Sequence, residues 1–144
     1  MEWLNKNSSI FVLSDASIDE YLAILFIHSL QESKKISVNS VSIVNADCIA
    51  DPAIDTGWKI REYLGLTNEM PLGLSESRGW NPFPWAYRND CVTFGQVDAL
   101  KNLPSNPNWP PYADGDQMLI KYLEQCGEDE AVLLPLCPIT PLTN

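Results

Sequence analysis

The stretch IFVLSDASIDEYLAIL, residues 10–25, decides the fold. Ile10–Leu13 is a short apolar run between polar residues, which is typical of a buried parallel strand. Ser17 and Glu20 have the spacing of a capping box, in which the two side chains satisfy free amides at the start of a helix. Apolar residues then recur at helical spacing, which predicts a helix from about Ile18 to Glu32. The stretch therefore predicts a buried strand followed directly by a helix.

A second strand and a second helix follow at once. Val38–Val44 is rich in β-branched residues, as strands are. Asp51 and Pro52 suggest a helix N-cap followed by proline at the first helical position. That helix is expected to run to Leu64, where Gly65 can adopt the left-handed conformation that ends helices.

The remaining elements complete an alternating order. Pro71–Leu74 is a third candidate strand, Asp114 and Gln117 indicate a capped helix that ends near Gly127, and Ala131–Leu136 is the last strand. Residues 76–113 are rich in proline and tryptophan, and we interpret them as a long loop or insertion. This order predicts a single α/β domain over residues 1–144, with a mostly parallel sheet, flanking helices and a Rossmann-like arrangement.

Composition excludes several classes of function. The chain has 144 residues, with 9 basic against 19 acidic side chains and a formal charge of −10. Such a charge disfavours binding to nucleic acid and to anionic membranes. The first residues lack the pattern of a signal peptide. The four cysteines form no CxxC pair, so we expect reduced thiols and a cytoplasmic location.

Candidate site residues are those that come directly after the strands, because parallel sheets bind ligands at their carboxyl ends. The polar residues in these places are Ser14, Asp15, Asp19, Asn45 and Asp47, together with residues 139–144.

These post-strand residues resemble the inosine–uridine preferring nucleoside hydrolase family. Its first motif, D-x-D-P-G-x-D-D followed by an apolar helix, corresponds to LSDASIDE at residues 13–20, followed by YLAI. Val44-Asn45 stands where the family has Gly-Asn, and TPLTN at residues 140–144 is similar to its G-P-L-T-N segment. The resemblance implies a truncated nucleoside-hydrolase fold, equivalent to the N-terminal portion of longer proteins. The second half of those proteins supplies a further aspartate ligand and a catalytic histidine.

The resemblance also implies roles for individual residues. Asp15 would bind Ca²⁺ and act as the general base, Glu20 would bind the metal, and the carbonyl of Ile139 would face it. Asp19 and Asn45 would contact the ribose. Hard oxygen ligands suit Ca²⁺, and a bound cation lowers the pKa of its water. The implied activity is hydrolysis of the N-glycosidic bond of ribonucleosides.

The motif is altered at several positions. Leu13 replaces the first aspartate, Ala16-Ser17 replaces Pro-Gly, and Glu20 replaces the last aspartate with a side chain that is longer by one C–C bond. A second hypothesis is therefore an inactive relative that acts as a ligand-binding or oligomeric structural domain.

Structural alternatives exist for most of these residues. Asp15 and Asp19 can cap a turn and a helix, Glu20 can serve only the capping box, and Asn45 can occupy a left-handed loop position. His28 is interpreted as a solvated or half-buried helix residue. The aromatic side chains of the long loop could stack on a nucleobase or pack the loop onto the domain, and these are Trp80, Trp85, Tyr87 and Trp109.

The surface left uncovered beside the last strand predicts self-association. A parallel sheet that stops at Ala131–Leu136 exposes an apolar edge and face. We therefore expect a homodimer or a larger assembly that buries this surface.

Overall fold

The computed structural model describes residues 8–34, 36–66, 69–78, 83–105, 113–128 and 130–142. The elements in chain order are β1 (Ser8–Ser14), α1 (Ile18–Lys34), β2 (Ile36–Asn45), α2 (Ala50–Leu64), β3 (Leu72–Arg78), α3 (Trp85–Arg88), α4 (Asp90–Gly95), β4 (Ala113–Asp114), α5 (Gly115–Gln125) and β5 (Val132–Leu136), followed by a 3₁₀ turn (Thr140–Leu142).

The strands form one parallel sheet in the order β4-β3-β2-β1-β5. The central strand β1 lies between β2 and β5, with Ser14 opposite both Ile43 and Leu136. The predicted α/β class with a parallel sheet is confirmed. Within the described residues, no helix is long and apolar enough to cross a membrane.

Helices cover both faces of the sheet, and β1 shows why. Val12 packs on one face with Ile24 of α1, while Phe11 and Leu13 pack on the other face with Leu119 of α5. Successive side chains of a strand point to opposite faces, so a strand that is covered twice must be apolar at nearly every position. This requirement explains why Ile10–Leu13 is an unbroken apolar run.

Two local predictions are confirmed and a third is confirmed in part. The Ser17 amide donates to the Glu20 carboxylate at 2.8 Å, which is one half of the predicted capping box, whereas the Ser17 hydroxyl donates to the Asp19 and Glu20 carboxylates. Asp114 is the N-cap of α5 and accepts from the amides of Asp116 and Gln117, both at 3.0 Å. Gly65 ends α2 with φ +70°.

The predicted start of α2 is wrong. The helix begins at Ala50, its N-cap is Ile49, and no side chain caps it, while Asp51 lies inside the first turn. Ile49 packs against the core cluster that contains Cys48 and Ala53. Burial of this apolar residue therefore sets where the helix begins, and Asp51 places a negative charge near the positive helix end.

The segment 76–113 is more regular than the predicted loop. Strand β3 continues to Arg78, and the short helices α3 and α4 lie within the segment. Thr56 of α2 donates to the carbonyl of Cys91 at 2.7 Å, and this buried hydrogen bond stabilises the packing of α4 against α2. The two-residue strand β4 carries no recognisable sequence pattern, and it was not predicted.

Candidate active site

The carboxyl ends of β1, β2 and β5 form the candidate site. These strands are neighbours, with β1 in the middle. Asp15 follows the last residue of β1, Asp47 and Cys48 follow β2, and Cys137 follows β5. The sheet therefore brings together polar residues that are more than a hundred positions apart in the chain, as Asp15 and Cys137 are.

Asp15 is the centre of this group. Its side chain is buried, with 7 % of the residue exposed. Burial is the main cause that raises the pKa of Asp15 to about 7, and the charges of Glu20 and Asp47 act in the same direction. A carboxyl with this pKa exchanges its proton near neutral pH, which is what a general base requires.

The turn after Asp15 has an unusual backbone. Ala16 has φ +63°, in the left-handed region that side chains other than glycine rarely occupy. Its amide donates to the Ser14 hydroxyl at 3.1 Å, and its side chain is completely buried. Proline stands at this place in the family motif, and its ring would require φ near −65°. The turn of this chain therefore differs from the turn that the motif implies.

Glu20 and Asp19 both point back to the start of α1. The Ser17 hydroxyl contacts both carboxylates, and the Ser17 amide also binds Glu20. Asp19 is exposed and Glu20 is half-buried. Glu20 therefore has the capping role that the sequence analysis gave as its structural alternative. Its charge also raises the pKa of Asp15.

The turn after β2 adds a second carboxyl. Asn45 is half-buried and pairs with Arg78 in the sheet register. Burial, followed by the charge of Glu20, raises the pKa of Asp47, and the Arg88 guanidinium opposes this rise. Asp47 therefore belongs to the same group of carboxylates as Asp15 and Glu20.

The segment after β5 adds a thiol and a carbonyl. Burial, with the charges of Asp15 and Glu20, raises the pKa of Cys137 to about 12, so this thiol is neutral at physiological pH. The Ile139 carbonyl accepts from the Leu142 amide at 2.9 Å. Thr143 and Asn144, the end of the TPLTN segment, lie outside the described residues.

The residues that the resemblance implies for Ca²⁺ do not fit the ion as they are arranged. Carboxylate and carbonyl oxygens are suitable donors in type. Glu20, however, is held by the Ser17 amide, and Leu13, at the place of a family aspartate, is a buried apolar side chain. Among the described side chains, no three His, Cys, Asp or Glu residues are placed to hold a metal.

Two features of the site could not be found from the sequence pattern. Arg88 lies at the end of α3, and its Nη2 donates to the Cys48 carbonyl at 3.3 Å, across 40 residues of sequence. Cys137 reaches Asp15 only because β5 pairs with β1. Asp47 could be identified from the sequence as a polar residue shortly after a strand, although no role was predicted for it.

Two of the four loop aromatics named in the sequence analysis, Trp85 and Tyr87, lie in the described residues, and both are exposed. Trp85 and Tyr87 are 66 % and 56 % exposed, so they do not pack the loop onto the domain. Tyr87 instead meets Phe83 edge to face, with ring centroids 6.2 Å apart. Trp80 and Trp109 lie outside the described residues. His28 is half-buried in the middle of α1, as expected.

A separate concavity lies at the opposite, amino-terminal end of the strands. This cleft has a volume of about 330 Å³ and is lined by side chains of β2 and α5, among them Asn39, Lys121 and Gln125. It provides an internal comparison for any experiment that locates a ligand.

Comparisons with known proteins identify the fold. No protein-family model matches the chain, and no curated protein matches it in sequence. The structure is similar to that of an inosine-uridine preferring nucleoside hydrolase from Bacillus anthracis, with a TM-score of 0.74 and 24 % identity over 94 % of this chain and 43 % of that one. A plant nucleoside hydrolase gives a TM-score of 0.68 at 18 % identity, over 94 % of this chain and 41 % of that one.

A purine-preferring ribonucleoside hydrolase from Gardnerella vaginalis gives a TM-score of 0.65 at 13 % identity, over 94 % of this chain and 42 % of that one. The chain thus spans less than half the length of the solved structures that it matches. Its five-stranded parallel sheet and flanking helices match the corresponding part of a nucleoside hydrolase fold.

Proposed function

We propose that this chain is a nucleoside-hydrolase-like domain that binds the ribose of a ribonucleoside at the carboxyl ends of β1, β2 and β5. The observation that carries the proposal is a buried Asp15 with a pKa of about 7, at the place in the fold where parallel sheets bind ligands. The likeness to solved nucleoside hydrolases supports the choice of a ribonucleoside as the ligand.

Asp15 is the general base in the proposed reaction. An oxygen of water attacks C1′ of the ribose while Asp15 accepts a proton from that water. The N-glycosidic bond breaks, its electron pair leaves with the nucleobase nitrogen, and solvent protonates this nitrogen. Positive charge develops on the sugar, and the carboxylates of Asp19 and Asp47 stabilise it.

Asp19 and Asn45 are the proposed ribose contacts. A carboxylate accepts hydrogen bonds from the sugar hydroxyls, while an amide both donates and accepts. Calcium has no step in this proposal, because the residues as arranged do not supply its ligands. A cytoplasmic location remains part of the proposal, and the four free thiols are compatible with a reducing compartment.

Binding without cleavage is the second candidate function. The observation that favours it is the engagement of Glu20 by Ser17, because this contact takes up a carboxylate next to Asp15 that could otherwise position water. In this form the protein would hold a nucleoside or ribose and release it unchanged.

A nucleoside panel separates the two candidates. Wild type, Asp15→Asn and Asp98→Asn are mixed with inosine, uridine and guanosine, and both binding and free ribose are measured, with and without Ca²⁺. Asp98 is a matched control, because its carboxylate is 95 % exposed and pairs with Lys101 at the surface. Free ribose from wild type and Asp98→Asn, but not from Asp15→Asn, supports hydrolysis. Binding with no ribose at any protein concentration supports the second candidate, and no binding contradicts both.

A further inference from the structure

Arg88 reaches into the carboxylate group from a helix that is distant in sequence. It is the last residue of α3, and its Nη2 donates to the carbonyl of Cys48 at 3.3 Å. Its Nε is buried and has no hydrogen-bond partner among the described residues. Oδ1 of Asp47, the residue next to Cys48, is also buried and unpaired within the described part of the chain.

These two unpaired atoms carry opposite charges on adjoining segments. A buried donor or acceptor without a partner costs about 1–3 kcal/mol, and more when it is charged. The cost falls when the guanidinium faces a group of negative charges. Arg88 acts on one member of such a group, because its charge opposes the rise in the pKa of Asp47, and the charges of Glu20, Asp90 and Asp19 also act on Asp47.

The surrounding charge is otherwise negative. The charges of Glu20, Asp47 and Asp19 act on Asp15 at the carboxyl end of the sheet, and those of Glu20, Asp90 and Asp19 act on Asp47. Neighbouring carboxylates repel one another unless a cation lies among them. A guanidinium is permanently charged and planar, and it can satisfy a carbonyl and a carboxylate together.

We propose that Arg88 is the built-in counter-cation of this carboxylate group and takes the electrostatic place of a divalent metal ion. Arg88 is thus a positioning residue, which holds Asp47 and the turn of residues 46–48 in place while the ribose binds. The part of this inference that concerns ribose rests on the function proposed above. The part that concerns the cation does not.

Calcium titration tests the inference without any substrate. Ca²⁺ binding is measured by calorimetry on wild type, Arg88→Gln, Arg88→Lys and Lys101→Gln. We expect Arg88→Gln to bind Ca²⁺ about tenfold or more tightly than wild type, because loss of one nearby positive charge leaves the carboxylates uncompensated. Arg88→Lys keeps the charge, and Lys101→Gln removes a surface charge that pairs with Asp98, so both are expected to behave as wild type.

Either of two results would overturn the inference. One is equal Ca²⁺ affinity, or equal absence of binding, in wild type and Arg88→Gln. The other is an Arg88→Lys variant that binds Ca²⁺ as tightly as Arg88→Gln. Circular dichroism and thermal unfolding of each variant establish that it is folded, and Arg88→Lys tests the charge even if Arg88→Gln fails to fold.

A second readout uses inosine in the presence of EDTA. We expect wild type to bind inosine equally with EDTA and with Ca²⁺, and Arg88→Gln to bind at least about tenfold more weakly in EDTA. Failure of every variant to bind inosine would contradict the proposed function, whereas the calcium titration would still decide the role of Arg88. Inosine binding by wild type that requires Ca²⁺ would overturn the inference about Arg88 alone.

Discussion

Among single residues, Asp15 matters most, because it is the proposed general base. Its pKa is about 7 in the folded protein and about 3.8 in a solvated chain. The folded state therefore binds a proton more tightly than the unfolded state, so this residue favours folding below about pH 4 and loses that contribution as pH rises through about 7.

The first prediction is that Asp15→Asn stabilises the protein at alkaline pH. Asparagine keeps the shape of the side chain and removes the cost of burying a charge, which is about 1.4 kcal/mol for each unit of pKa shift. We expect a gain of a few kcal/mol near pH 8 and little difference near pH 4, measured by urea unfolding at both values. An Asp15→Asn variant that is less stable than wild type near pH 8 would contradict the pKa assigned to Asp15.

The second prediction concerns the backbone at Ala16. Ala16→Pro brings the sequence closer to the family motif, yet proline cannot adopt the φ of +63° seen here. We expect a loss of about 3 kcal/mol or more in the free energy of unfolding. Ala16→Gly is the control, because glycine accepts this conformation without strain. A stable Ala16→Pro variant would show that the turn after β1 follows the family motif after all.

Individual residues were predictable where the signal was local. Asp15 directly follows an apolar strand, and Ser17 and Glu20 have a recognisable spacing, so their positions could be read from one stretch of sequence. Arg88 and Cys137 could not be found in this way, because each reaches the site through the packing of elements 40 or more residues away. Electrostatic contacts of this kind leave no periodic pattern.

At the scale of elements, the ends of helices decide how the strands are connected. α1 and α5 begin at side-chain caps that were predicted from the sequence, and α2 ends at the predicted glycine. The predicted cap of α2 was wrong because the apolar Ile49 is drawn into the core at the same point. A capping pattern is thus reliable only where no neighbouring apolar residue competes for the position.

The third prediction tests the cap of α5. Asp114 accepts two backbone amides at 3.0 Å, so Asp114→Ala leaves these donors to water. We expect a loss of about 1 kcal/mol in stability, measured by urea unfolding. Asp98→Ala removes an exposed carboxylate that caps no helix amide, and we expect it to change stability by less than about 0.5 kcal/mol. Equal effects of the two substitutions would contradict the capping role.

At the scale of the whole molecule, the outer side of α1 and the edge of β5 are open. Leu22 and Phe26 of α1 are 51 % and 64 % exposed. The edge of β5 is a poor place to add a strand. The Val132 amide donates to the hydroxyl of Tyr122 from α5, and this hydroxyl donates to the Ser9 carbonyl of β1, so the amide lies on the β1 side. Backbone amides alternate in direction along a strand, so the nitrogen of Pro135 lies on the free side, and it has no hydrogen to donate.

The fourth prediction is a homodimer. The sequence predicts that it buries the apolar edge and face beside the last strand, but the edge of β5 is a poor place for pairing. We therefore expect the exposed Leu22 and Phe26 on the outer side of α1 to form the interface. Light scattering over micromolar concentrations should show a dimer for wild type and a monomer for Leu22→Gln/Phe26→Gln. Leu123→Gln is the control, because Leu123 is similarly exposed but lies on α5, on the other face of the sheet. A monomeric wild type across this range would contradict the prediction.

The class of fold was predictable from the alternation of strands and helices alone. The order of strands in the sheet was not, because nothing local shows that β5 returns to pair with β1 at the centre. That pairing is what assembles the site, since it places the segment after β5 beside Asp15. The sequence therefore predicts the site residues that follow β1 and β2. It predicts only some of the site residues that later elements contribute.

The central claim is that a ribonucleoside binds at the carboxyl ends of β1, β2 and β5. Amide chemical shifts of the isotope-labelled protein, followed during a titration with inosine, test this claim most directly. We predict shifts that are concentrated in residues 14–20, 45–48 and 137–139, and that disappear in Asp15→Asn but persist in Asp98→Asn. Shifts confined to the opposite cleft, around Lys121 and Gln125, or no shifts at all, would contradict it.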